Sequence, residues 1–284
     1  MIPIMGGRRE ARDKDAHMRI AANYSGHLMR LMERRSGIVV KVSDWGSIAA
    51  VEAVLARHSD AAFLVHLTLV IGSGATVDRS GKIWEDLKVL VPLTKTPHLS
   101  AHIGYNCQVD YAPDGRYVFG RRLPDETLME NMRCNAGLLQ DAFGLPLILE
   151  NQTAVYGGPF IPPFMEGCSS ASFINRALET TGCDMLLDLA HARVNAAFHK
   201  MTIEDYLAAL PLETVREMHL SGCRVIKDGL LSDEHLELEE TDYDLLRLTL
   251  KRCRPGALTL EYDKDFELLE RQIERLEAIA EKEP

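Results

Sequence analysis

Eight times along this chain, a short apolar run of strand length is followed by a stretch whose apolar residues recur at helical spacing. The runs are residues 19–24, 37–42, 62–67, 99–103, 145–150, 185–188, 215–220 and 257–261. The helical stretches after them are 27–35, 47–57, 84–93, 128–143, 169–181, 202–210, 243–253 and 266–281. Period 3.6 marks the helices, as in Ile48, Val51 and Leu55. The runs themselves show little polar–apolar alternation, which is the pattern of parallel strands buried on both faces. Eight strand–helix units in a chain of 284 residues match the size of a (β/α)₈ TIM barrel in one domain. A doubly wound sheet is the alternative, but no Gly-x-Gly-x-x-Gly turn follows the first run. Residues 1–17 read as a polar N-terminal extension, and residues 18–284 as the barrel. Pro113-Asp114-Gly115 between Tyr111 and Tyr117 signals a hairpin inserted after the fourth strand.

The strand ends carry the chemistry. In a barrel of this kind the active site forms at the C-terminal ends of the strands. Those ends hold Asn23, His66, His102, Glu150 with Asn151, Asp188 with His191, His219, and Glu261 with Asp263; Asp233 and His235 lie in the loop after the seventh strand. A polar side chain closing an apolar strand is unfavourable unless it has a partner. Each position has a plain reading alone: His66 and His102 as core histidines, Asp233-Glu234-His235 as a polar loop, Asp263 as a helix cap. His98 starts its strand and reads as structural, and His17, His27, His58 and His199 read as solvated. Together, imidazoles and carboxylates converging on one rim suit Fe, Zn or Mn. The donors outnumber the four that a tetrahedral zinc takes, so two or three ions bridged by Glu150 or Glu261 fit better.

Other chemistries fit less well. The chain has no Gly-x-Ser-x-Gly elbow for a nucleophilic serine. Glu150 and Glu261 as a glycosidase pair would leave the histidines unused. A net charge of −10 disfavours a nucleic-acid partner held by phosphate contacts. No run is long enough for a membrane span, and the N-terminus lacks the apolar core of a signal peptide. A cytoplasmic location with six reduced cysteines is the corresponding expectation.

Seven pieces in order resemble one known family: Val65-His66-Leu67, Leu99-Ser100-Ala101-His102, Leu149-Glu150-Asn151, Leu186-Leu187-Asp188, Met218-His219-Leu220-Ser221-Gly222, Ser232-Asp233-Glu234-His235 and Thr259-Leu260-Glu261-Tyr262-Asp263. That family is the multinuclear non-heme iron-dependent oxidative enzymes. The resemblance implies a TIM barrel with two or three iron ions, using dioxygen as co-substrate to remodel residues, often cysteines, in ribosomally made precursor peptides. It also implies a separate partner protein that delivers the peptide. By that pattern His66, His102, Glu150, Asp188, His219, Asp233, His235 and Glu261 are metal ligands, with Asn151 a further candidate. Glu150, His219 and Asp233 are then the expected catalytic residues. Asn23 is expected at the substrate, with Arg121 and Arg122, whose forked guanidinium groups suit peptide carboxylates; a solvated surface hairpin reads equally well for the two arginines. Two positions depart from the family pattern. Ala190-His191 stands where many members have Asn-Asn, which makes His191 an added ligand candidate, and Cys223 stands where many have a histidine. The rival classes are a metal-dependent sugar isomerase or epimerase, a metal-dependent phosphodiesterase or endonuclease, and a non-catalytic metal- or peptide-binding module.

Overall fold

A computed structural model describes residues 17–43, 47–74, 77–111, 117–155, 165–226 and 229–282. Eight parallel strands close into a barrel: β1 (Arg19–Asn23), β2 (Val39–Ser43), β3 (Phe63–Val70), β4 (Leu99–His102), β7 (Leu147–Glu150), β8 (Asp184–Asp188), β9 (Val215–Leu220) and β12 (Ala257–Leu260). They follow the chain around the ring, and β12 pairs with β1 to close it. All eight expected strands are present, with ends shifted by a few residues. The largest extension is β3, which continues past Leu67 to Val70 through an irregular register against β4.

The helices α1 (Gly26–Met32), α2 (Ile48–Arg57), α3 (Lys82–Thr94), α4 (Asp125–Phe143), α6 (Ala171–Thr181), α8 (Ile203–Ala208), α9 (Glu240–Leu250) and α10 (Phe266–Lys282) correspond to the eight periodic stretches. Local chemistry sets their starts. The Ser170 and Thr202 side chains accept from the backbone N–H three residues on, as N-caps do. At α10 the cap is Asp265, whose carboxylate accepts from Leu268 N at 2.8 Å. Asp263, expected in that role, instead offers its backbone oxygen to His27 Nδ1 at 2.9 Å.

Four further features belong to the described residues. A short helix, α5 (Met165–Cys168), precedes α6. A hairpin of β5 (Cys107–Tyr111) and β6 (Tyr117–Arg122) leaves the barrel after β4, as expected; its Pro113-Asp114-Gly115 turn lies outside the described residues. A helix not foreseen, α7 (Leu189–Phe198), starts directly at the end of β8 with no loop. It is buried on several sides, Leu189, Ala190, His191, Ala192, Val194, Asn195 and Ala196 all being enclosed, so it lacks the one-sided stripe by which helices are read. The loop after the seventh strand is also ordered, as a second hairpin of β10 (Gly222–Val225) and β11 (Leu231–Leu236). Its start needs a glycine: a Cβ on Gly222 would collide with the backbone oxygens of Leu236 and Glu237. Residues 1–16 of the expected N-terminal extension lie outside the described residues.

Side chains two apart along a strand share a face, so the barrel interior can be read by counting back in twos from each strand end. The lowest layer is apolar, with Ala21, Val39, Leu64 and Ala257 in one cluster. Two residues higher come Lys41 on β2, Glu217 on β9 and Thr259 on β12. The top layer holds His66, His102, Glu150, Asp188 and His219. The parallel register sets His102 beside Glu150 and Asp188 beside His219.

Candidate metal centre

The top layer is a continuous set of facing imidazoles and carboxylates. Glu150 lies at its middle, with Oε2 3.4 Å from His66 Nε2 and 3.6 Å from His102 Nε2. Its Oε1 lies 3.3 Å from His191 Nδ1 and 3.7 Å from His219 Nδ1. Asp188 Oδ2 is 3.8 Å from both His191 Nε2 and His219 Nδ1. Glu261 closes the far side, 3.4 Å from His219 Nδ1 through Oε1 and 3.4 Å from His235 Nε2 through Oε2. Three donor groups result, each with its ligand atoms within 4.8 Å of one another: His66–His102–Glu150, Glu150–Asp188–His191 and Asp188–His219–Glu261. Glu150 joins the first to the second, and Asp188 joins the second to the third. The set can therefore hold adjacent cations bridged by carboxylates.

Local structure aims these groups. Asp188 ends β8 and caps α7: its Oδ1 accepts from His191 N at 2.7 Å, which leaves Oδ2 for the site. The cap also sets His191 one turn into α7, over the rim. Asn151, expected as a ligand, is engaged elsewhere. Its Oδ1 accepts from Asp188 N at 2.8 Å and its Nδ2 donates to Asp188 O at 3.0 Å, so both side-chain atoms hold the end of β8. Asp233 on β11 accepts from Ser221 Oγ at 2.6 Å and lies 3.4 Å from His191 Nε2 and 3.3 Å from His235 Nε2. His235 takes a left-handed backbone, φ 47°, an uncommon conformation for histidine that turns up at functional positions. It is 47% exposed, whereas Glu150, Asp188 and His219 are sealed from solvent, so the centre opens on the His235 side.

Asn23 donates through Nδ2 to Glu261 Oε1 at 3.2 Å, which places it at the centre's edge. Arg121 and Arg122 are exposed on β6 and belong to none of the three donor groups. Cys223 faces the backbone of α7, its Sγ 3.8 Å from Ala190 O, and burial pushes its thiol far above the usual range.

The protonation pattern tests whether the donors fit cations. Burial drives His66 and His102 below the ordinary imidazole value despite the pull of Glu150, which favours neutral rings; His66 Nδ1 pairs with Ser100 Oγ at 2.9 Å. Burial also opposes charge on His191, but Asp188, Asp233 and Glu150 outweigh it and raise that imidazole. Burial and Lys41 push His219 down, yet Glu261 and Glu150 lift it to about 10; burial also opposes charge on His235, but Asp233 and Glu261 lift it to about 9. Burial raises Asp188 to about 6, with Asp233 and Glu150 adding to it. In the metal-free protein, protons thus compensate the clustered carboxylates. Of the seven buried side-chain atoms without a hydrogen-bond partner among the described residues, four lie in this centre: His102 Nδ1, Glu150 Oε2, Asp188 Oδ2 and His219 Nδ1. A fold leaves buried polar atoms unsatisfied only at a high free-energy cost unless something else binds them. Buried nitrogen and oxygen atoms left without a partner form the mixed donor set that transition-metal ions take up, with the proton on His219 displaced.

Residues that sequence reasoning passed over lie directly beneath. Lys41 Nζ contacts both Glu217 Oε1 and His219 Nε2. Glu217, fully buried, also accepts from Thr259 Oγ1 at 2.7 Å, and its Oε2 lies 2.9 Å from His98 Nε2. His98, read as structural, is a partner of this lower layer. The available signal was a lysine within Val39-Val40-Lys41-Val42, a charge inside a strand with no polar face.

With this geometry in view, the chain can be placed among known proteins. The family model for the RiPP precursor modification enzymes MbnB/TglH/ChrH matches residues 46–283, and the chain belongs to that family. A UPF0276 protein of Bordetella pertussis is 32% identical over 158 residues, 53% of either chain. One from Psychromonas ingrahamii is 27% identical over 210 residues, 71% of this chain and 70% of that one. The aligned part of the chain thus spans about half the length of the Bordetella relative. Among solved structures the fold is similar to endonuclease IV from Thermus thermophilus (TM-score 0.53, 18% identity, 93% of this chain and 99% of that one). It is also similar to a xylose isomerase domain protein from Alicyclobacillus acidocaldarius (TM-score 0.54, 18% identity, 94% and 99%). At these identities the likeness concerns the barrel alone. Among the described residues no helix is long and apolar enough to cross a membrane.

Proposed function

We propose that this enzyme is a cytoplasmic non-heme iron oxidoreductase that uses dioxygen to modify a residue, a cysteine, of its precursor peptide. The observation that carries the reading is the row of three donor groups sharing Glu150 and Asp188, in a chain of a peptide-modifying family. His66, His102 and Glu150 would hold one ion, Glu150, Asp188 and His191 a second, and Asp188, His219 and Glu261 a third. Zinc and manganese suit the same donors; redox chemistry on a peptide selects iron. Bound iron supplies sites for dioxygen and a substrate thiolate side by side, and takes up and returns electrons during the oxidation.

The chain's own residues supply position and charge. Glu150 and Asp188 would each be shared between neighbouring ions, and His66 and His102 would offer neutral imidazoles without a proton to displace. The His235 side is the open one, so the peptide enters there. Asp233, held by Ser221 and flanked by His191 and His235, lies between the opening and the third donor group, where it touches the reacting residue. Asn23 steadies Glu261 at the same edge. Arg121 and Arg122, exposed on the β5–β6 hairpin, hold peptide carboxylates farther out, and a separate partner protein presents the peptide.

Anaerobic purification, metal analysis and Mössbauer spectroscopy test the reading, followed by oxygen uptake with a cysteine-bearing precursor peptide. The expected result is bound iron and peptide-dependent oxygen consumption. A protein that holds only zinc or magnesium, and consumes no oxygen with the peptide, contradicts it.

A further inference from the structure

Two fully buried asparagines, Asn151 and Asn195, tie together the elements that carry the second donor group. Glu150 comes from the end of β7, Asp188 from the end of β8, and His191 from α7. The β7–β8 ladder stops at Glu150 opposite Leu186, so it does not reach Asp188. Beyond it the Asn151 side chain takes over. Its Oδ1 accepts from Asp188 N at 2.8 Å and its Nδ2 donates to Asp188 O at 3.0 Å. A side-chain amide offers the same donor and acceptor as a peptide group, so it can stand in for a neighbouring strand.

Asn195 makes the same kind of clasp in the opposite direction. It follows His191 by one helical turn, so both side chains leave α7 on the same side. Its Oδ1 accepts from Ala154 N at 2.8 Å, and its Nδ2 donates to Gln152 O at 2.8 Å. Nδ2 also donates to Tyr206 Oη at 3.1 Å, so both ends of the amide are engaged. The loop after β7 therefore holds the end of β8, and α7, which continues β8 without a loop, holds the loop after β7. The backbone oxygen of Asn151, between the two clasps, lies 2.8 Å from His191 Nδ1. Buried amides are unfavourable unless their bonds are made, so apolar packing would anchor a helix at less cost. What directed hydrogen bonds add is a fixed position, and a metal centre needs its donors held to within about 0.5 Å.

We propose that Asn195 is a positioning residue of the metal centre. Acting with Asn151, it fixes His191 relative to Glu150 and Asp188, so that the second donor group is formed before any ion binds. The proposal rests on the reading of the rim as a metal centre, and not on iron or dioxygen.

The test is a double-mutant cycle in the full chain, with N195A, H191A and N195A/H191A set against the wild type. Affinity for Zn²⁺ is measured by chelator competition, with thermal melts of the metal-free proteins as a folding control. N195A is expected to weaken binding by about 10-fold, the lower end of what loss of a partner outside the ligands costs. In the His191→Ala background the same substitution is expected to have no further effect, because the donor it positions is gone. A merely structural role would weaken binding equally in both backgrounds. That result, or wild-type affinity in N195A, overturns the proposal. Should N195A fail to fold, amide hydrogen exchange of the wild-type chain decides. The Ala154 and Asp188 amides donate to Asn195 and Asn151. Protection of both already in the metal-free protein supports the proposal, and protection that appears only with zinc overturns it. A wild-type chain that binds no divalent ion would overturn the metal-centre reading itself, which is a different result from either.

Discussion

The barrel contains two layers of buried charge, and they differ in how completely they satisfy themselves. In the lower layer Glu217 meets Lys41, Thr259, His98 and His219, and neither carboxylate oxygen is left over. In the upper layer His102, Glu150, Asp188 and His219 each keep a buried atom without a hydrogen-bond partner. Both layers bury charge against the same apolar walls, so burial does not distinguish them. The unspent lone pairs do. A self-satisfied network is part of the protein's own structure, whereas one with lone pairs to spare is shaped for something that binds later. The same contrast separates Asn151 from its neighbours: it sits at a strand end among the ligand candidates, but its amide is already bonded to Asp188.

Substitutions in the two layers should therefore fail differently. The largest effect is expected from Glu150→Gln, which removes a carboxylate shared by two donor groups. Metal affinity should drop by about 100-fold or more, at or beyond the upper end of what loss of a supporting carboxylate costs, while the metal-free fold keeps its melting temperature. Full metal content in the variant, measured by elemental analysis, would remove Glu150 from the ligand set. Lys41→Met should do the opposite. It strands the fully buried Glu217 without its cation, and destabilisation of about 3–5 kcal/mol in chemical denaturation is expected. A change below about 1 kcal/mol would mean that the lower layer is not the tightly paired network described.

The pH response should also separate metal binding from folding. His219 is lifted from an ordinary 6.5 to about 10, and His235 to about 9. A raised imidazole stabilises the metal-free fold fully below pH 6.5, and that contribution disappears as pH climbs through the folded values. Metal-free protein should thus lose stability between about pH 6.5 and 10, read from denaturation midpoints. Metal affinity should rise over the same interval, because the ion displaces those protons. Affinity that is flat with pH would indicate that His219 and His235 do not release protons to the metal. The smallest effect is expected at Cys223, whose thiol faces Ala190 O and belongs to none of the three donor groups. Cys223→Ser should leave metal content unchanged; a measurable loss would return the thiol to the ligand set.

Much of this was legible in the linear chain. Apolar runs of strand length, alternating with stretches of period 3.6, placed every barrel strand, and the polar residues closing them named the rim, since a strand end is a local feature. What escaped detection depends on packing. Helix α7 is enclosed on several sides and is capped by Asp188 itself, so neither a stripe nor a loop announces it. Lys41 and Glu217 explain each other only across the closed barrel. Asn151 looked like a ligand because sequence shows residue type but not whether its hydrogen bonds are already used.

The central claim is a rim built for several cations at once. Metal content of the anaerobically purified chain, quantified per polypeptide and paired with Mössbauer spectroscopy, tests it most directly. The account predicts more than one iron per chain in the wild type and a loss in Glu150→Gln. A single ion per chain, indifferent to Glu150, would contradict it.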